Sequence, residues 1–165
     1  EAIREDISFA YLGDYYSHVR NLMPFYLALS QTRFCGYIYG DSDVVLEGTD
    51  KIEVSGRVTL DRLASVQEKS SVLVQLCNLR GGQIPGKIYH YSATRKPILF
   101  ILDGTSEEKE QIEKYFRKFN RYYFCDNNVQ SIISAINRIN VDIVHGERWY
   151  PVTAFSPKNV VTQML

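Results

Sequence analysis

Two kinds of segment alternate along this chain: short runs that are apolar throughout, and longer stretches whose apolar residues recur every three or four positions. Runs of the first kind lie at 7–12, 33–39, 71–76 and 97–102, with another inside 51–58. They read as strands buried on both faces. Stretches of the second kind read as amphipathic helices. A helix is expected from about 18 to 30, after Gly13, with Leu22, Phe25, Tyr26 and Leu29 on one face. A shorter one carries Leu60, Leu63 and Val66. Thr105 and Glu108 form a capping box for a helix whose buried stripe is Ile112, Tyr115, Phe116 and Phe119. A last strand is expected at 122–125, followed by a helix with Val129, Ile132, Ile133, Ile136 and Ile139 at helical spacing. This grammar predicts an α/β fold: a doubly wound, mainly parallel Rossmann-like sheet with helices on both faces. The alternation stops near 146, so residues 1–146 are expected to form the Rossmann-like domain and 147–165 a tail. In the tail Trp149-Tyr150-Pro151 makes a turn, and Ser156-Pro157 opens a helix still running at Leu165. A start without methionine and an end inside a helix are expected of a piece of a longer protein.

Composition narrows the function more than the fold. At 165 residues and 45% hydrophobic, the chain has enough apolar material for one domain with a sizeable core, which argues against disorder. Nineteen basic residues balance nineteen acidic ones, so nothing global recruits nucleic acid, and none is expected as a partner. No apolar run approaches the roughly 20 residues of a spanning helix, and no signal segment opens the chain. A cytoplasmic location is the expectation. Cys35, Cys77 and Cys125 are odd in number and far apart in apolar segments, and are read as reduced core thiols. His18, His90 and His145 show no metal-ligand spacing.

The densest chemistry lies between Ser71 and Gly104. There a buried strand leads into Gly81, Gly82, Pro85, Gly86 and Lys87, then into a helical stretch that Lys96-Pro97 ends. A helix start offers unpaired N–H groups and a positive dipole end, and glycines let a phosphate approach the backbone. Doubly wound sheets bind ligands beyond the carboxyl ends of their strands, beside the point where strand order reverses. Two loops leave such ends with phosphate-friendly residues: 13–20 after the first strand and 79–87 after the fourth. Lys87 is assigned to the diphosphate of a nucleotide or its adjacent ribose, Arg20 to a bidentate phosphate contact, and Gly13, Gly81, Gly82 and Gly86 to close backbone approach.

Three signatures test the nucleotide reading further. Gly81 to Lys87 has the spacing of the phosphate loop of nucleoside triphosphatases, but Ile88 stands where a hydroxyl would hold magnesium and Pro85 lacks an N–H for the cradle. Asp41-Ser42-Asp43 has the form of the cation-binding pair of metal-dependent sugar transferases; a polar turn is the simpler reading. After the first strand only Gly13 stands, so the three-glycine dinucleotide fingerprint is absent.

The broadest match runs from Gly82 to Leu99, where a proline, a lysine, an aromatic-rich helix and Lys96-Pro97-Ile98 lead into an apolar strand. This stretch resembles the donor-binding signature of glycosyltransferases with two Rossmann-like halves, the GT-B fold of the bacterial group 1 type. Leu12-Gly13 with Arg20, Gly56-Arg57-Val58 and the stretch from Ser156 to Val161 look like further segments of the carboxyl-terminal, nucleotide-sugar-binding half, so the resemblance covers nearly the whole chain in order. It implies transfer of a sugar, without a metal cofactor, from a nucleotide-diphosphate sugar to a glycan or lipid-linked saccharide acceptor. It also implies a missing amino-terminal Rossmann-like half that holds the acceptor, a chain that binds donor without turnover alone, and peripheral membrane association as an open property of the full-length protein. Many members carry glutamate, bound to the donor ribose, at the position of His90, and a second acid near Gly82. Both acids are missing here, which leaves His90 as the candidate ribose contact through its imidazole. A non-catalytic nucleotide or sugar-phosphate binding module, a scaffold domain, and a nucleotidase with a phosphate loop remain as alternatives.

Overall fold

A computed structural model describes residues 7–81 and 86–155. Gly82 and the helix expected from Ser156-Pro157 lie outside the described residues. In chain order the elements are β1 (Ser8–Leu12), α1 (Met23–Ser30), β2 (Cys35–Tyr39), β3 (Ile52–Ser55), α2 (Leu60–Lys69), β4 (Val72–Leu76), α3 (Lys87–Ser92), β5 (Ile98–Leu102), α4 (Ser106–Arg117), β6 (Tyr122–Asp126) and α5 (Val129–Val144). The six strands form one sheet in the order β3-β2-β1-β4-β5-β6, and every neighbouring pair is parallel.

The alternation of side chains along each strand explains why both faces are covered. Phe9 and Tyr11 of β1 join Phe25 and Leu29 of α1 and Ile132 and Ile136 of α5 in one core. Ala10 and Leu12 point the other way, with Val66 of α2, Ile88 of α3 and Phe116 of α4. All residues of β4 and β5 are buried, as strands between two helical layers must be. The fold is therefore a doubly wound parallel α/β sheet. No helix of the described residues is long and apolar enough to cross a membrane.

The structure corrects three local expectations. First, α1 begins at Met23 rather than near 18, with Pro24 in its first turn, where a missing N–H is harmless. The residues before it are drawn into a loop in which the Val19 carbonyl accepts a hydrogen bond from Leu79 N, at 2.8 Å. Second, Leu60 is 83% exposed, because it opens α2 on the side away from the sheet, and Val66 is the residue that α2 buries. Third, Tyr115 lies at the edge of its stripe and is exposed, with the Lys118 ammonium 4.1 Å from its ring centroid, while Ile112 and Phe116 are the residues that α4 buries. Cys35, Cys77 and Cys125 are free thiols; the last two are buried.

The capping box is present: Thr105 Oγ1 accepts from Glu108 N at 3.1 Å, and the Glu108 carboxylate accepts from Thr105 N at 2.9 Å. Thr105→Ala removes one of these bonds from an exposed helix start. It is expected to cost about 1 kcal/mol, read as a lower urea midpoint at unchanged slope.

The described part of the tail folds back on the domain. Val152 N donates to Ser92 O at 2.9 Å, and the buried Arg121 donates from Nε to Tyr150 O at 3.0 Å and from Nη2 to Thr94 O at 2.8 Å. Phe155 then seats against Tyr89 and Phe119, with ring centroids 5.0 and 4.6 Å away.

Candidate functional site

Because β1 lies between β2 and β4, the chain leaves β1 toward one side of the sheet and leaves β4 toward the other. The loops after these two strands part, and a crevice opens between them. The first loop is pinned to β2: Gly13 N donates to Tyr39 O at 2.9 Å, Tyr15 N to Asp41 O at 3.0 Å, and Asp41 N to Asp14 Oδ1 at 2.8 Å. Gly40 is needed for that approach, since a Cβ there would fall 2.0 Å from the Gly13 carbonyl oxygen.

Arg20 joins the two loops. Its Nε donates to Asn78 Oδ1 and its Nη1 to Asp14 O, both at 2.9 Å. From the far wall, Lys87 Nζ donates to the Leu12 carbonyl oxygen. Among the described residues neither cation makes an ion pair with a carboxylate. Burial pulls the Lys87 pKa below the ordinary lysine range; Asp14 opposes the shift and Arg20 adds to it. Both side chains line a cavity of about 240 Å³, together with Gly13, Gln75, Gly86 and Tyr91.

The loop residues expected to meet at one ligand are thus brought together in part. Gly13, Arg20, Gly86 and Lys87 line the same cavity. A Cβ on Gly86 would meet nothing within 4 Å, so the ground beside it is open. The Gly13 amide is already bonded to β2, which leaves its lack of a side chain, rather than its N–H, as what it offers a ligand. Gly81 has φ +84°, a conformation suited to glycine, and turns the chain after β4 without lining the cavity. His90 is exposed on the next turn of α3 and is not part of the cavity wall. With six residues and no side-chain cap, α3 is too short for a strong dipole end, so the positive potential here comes from Lys87 and Arg20.

Asp41 and Asp43 have local duties. Asp41 Oδ1 accepts from Arg57 N at 3.1 Å, and Asp43 Oδ1 from Ser17 N at 2.7 Å, which makes the segment a polar turn. Asp14 receives the Arg57 guanidinium, and that hydrogen bond is the main reason its carboxyl titrates below the usual aspartate range. A larger hollow of about 720 Å³ runs beside α4, where Lys109 pairs with Asp126 at 3.0 Å and Arg117 with Glu113.

Gln75 and Tyr91, which line the crevice, and Asn78, which holds Arg20, escape a reading of sequence alone. Gln75 leaves a trace, as the single polar residue in the apolar run of β4. Asn78 and Tyr91 leave none, because an asparagine after a strand and a tyrosine on an apolar helix face are ordinary. Comparison with protein-family models, with curated proteins and with solved structures finds no match for this chain.

Proposed function

We propose that this chain is the donor-binding half of a glycosyltransferase of the GT-B kind, and that its crevice holds the diphosphate of a nucleotide-diphosphate sugar. One observation carries this reading. Two cations from opposite walls, Lys87 at the start of α3 and Arg20 in the loop after β1, converge on one cavity at the switch point, and among the described residues neither is ion-paired with a carboxylate. When the glycosidic bond breaks, the leaving diphosphate gains negative charge, and fixed cations in a partly dry crevice stabilise that charge. Lys87 is parked on a backbone carbonyl, a neutral partner that a phosphate oxygen would replace favourably. Arg20 uses Nε and Nη1 to hold the loops together, so its part is to supply charge and to keep the two walls in place. The resemblance of Gly82 to Leu99 to the donor signature supports the same assignment. The base, the sugar and the acceptor extend beyond this cavity, toward His90 and toward a second half.

Titration calorimetry of the chain with uridine, guanosine and adenosine diphosphates tests the reading. Binding is expected for at least one of them, weak and unchanged by a chelator. Absence of binding by all three, or binding abolished by chelator, overturns it.

A further inference from the structure

We propose, resting on the diphosphate reading above, that the tail segment 149–155 braces α3, and that Phe155 is a positioning residue for diphosphate binding, acting through α3 on Lys87. Lys87 is the first residue of α3, so the place of its ammonium in the crevice depends on where that helix lies. The helix has six residues and no side-chain cap at Gly86. A piece of that length does not hold itself together in water and takes its stability from what packs on it. Ile88 and Tyr91 fix its inner side in the core against the sheet. Its outer side is met by the tail.

The contacts fall at the end of α3 away from Lys87 and on its exposed side. Val152 N donates to Ser92 O at 2.9 Å, which satisfies a carbonyl at the helix end that has no acceptor role within the helix. Arg121, buried before β6, joins the tail to the residue just past the helix by donating to Tyr150 O and to Thr94 O. The Phe155 ring stands edge-on to Tyr89, with centroids 5.0 Å apart and planes at 84°. It packs equally on Phe119 at 4.6 Å and on Phe116 of α4 at 6.0 Å, and is 7% exposed. Phe155 therefore couples the half-exposed side of α3 to the end of α4, which is itself seated on the sheet through Ile112 and Phe116. No residue of 149–155 lines the crevice, so an effect of the tail on a ligand there has to pass through α3. When α3 is loosened, Lys87 is in place for only part of the time, and the apparent affinity falls with that fraction.

The test reads bracing and binding separately in Phe155→Ala. Hydrogen exchange of the chain without ligand is expected to quicken in α3 and just after it, at the amides of Tyr89, Ala93 and Thr94, which are bonded to Gly86 O, His90 O and Tyr91 O, and to stay unchanged in α5. Inorganic diphosphate and uridine diphosphate are expected to bind about three- to tenfold more weakly, by the same factor at low and high salt, because no charge is removed. In a Lys87→Ala background the further loss on Phe155→Ala should shrink to less than about twofold, since the residue through which the brace acts is gone. Ile139→Val, in the opposite core beneath α5, serves as the control: it should lower the melting temperature and leave both affinities unchanged. Unchanged exchange in α3 would mean that the tail does not brace it. Faster exchange with wild-type affinity, a loss that persists without Lys87, or an equal loss in Ile139→Val would each overturn the positioning role while the crevice assignment stands. If wild type binds neither probe, the diphosphate reading itself is wrong and the positioning role falls with it.

Discussion

Gly40→Ala is expected to be the most damaging single substitution at the crevice, lowering stability by about 2–4 kcal/mol and the melting temperature by roughly 5–15 °C. The added methyl carbon would lie 2.0 Å from the Gly13 oxygen, 2.4 Å from its carbonyl carbon and 2.9 Å from Asp14 N. All three are backbone atoms, so no side chain can swing aside. The β1 loop has to move, and the bonds from Gly13 N to Tyr39 O and from Asp41 N to Asp14 Oδ1 go with it. Arg20 is held by the Asp14 carbonyl, so diphosphate binding should fall as well. Differential scanning calorimetry and a diphosphate titration on the same variant check both halves. A variant that melts normally would mean that Gly40 does not pack on the Gly13 backbone as described.

Lys87→Ala is expected to separate binding from stability. Loss of a charge-assisted contact to phosphate should weaken nucleoside diphosphate binding by about 1–3 kcal/mol, and less at high salt. The melting temperature without ligand should barely change at neutral pH, because the lost bond to Leu12 O is offset by relief of a buried charge. The pH dependence has a definite sign. Folding lowers the Lys87 pKa, so the unfolded chain holds more protons on this residue than the folded chain. Stability from this group therefore rises with pH, from the depressed folded value up to the ordinary lysine range. Binding runs the other way, since the ligand needs the ammonium, and it should weaken as the pH climbs through the depressed pKa. In Lys87→Ala both trends should disappear; early melting with normal affinity would make the residue structural.

Much of the fold was legible along the chain because strands and helices bury themselves by different periods. The uniformly apolar runs that became β4 and β5 had nowhere to lie except between two layers. Thr105 and Glu108 announced the start of α4, since a capping box is a local bond pattern that needs no tertiary context. The start of α1 was harder to place. Residues 18–22 are compatible with a helix, but their backbone is claimed by Tyr16 and by Leu79 across the crevice. A hydrogen bond between residues 60 positions apart leaves no mark on either segment. Tyr115 and Leu60 show the same limit, because helical spacing identifies an apolar face but not how far the neighbouring layer reaches along it.

The sequence by itself determined the class of the domain and offered Arg20 and Lys87 as candidate cations, because these follow from periodicity and charge, which are local properties. Only the tertiary structure decided which of the candidates meet. The strand order that sets β1 beside β4 brings Arg20 and Lys87 to one cavity, while the short α3 carries His90 away from its wall. It also decided that the Gly13 amide is bonded within the sheet and that Asp14 is committed to Arg57. Contacts of this kind depend on the order in which strands are laid side by side. That order is settled by packing among elements distant in the chain, so the residues it unites carry no shared signal in sequence.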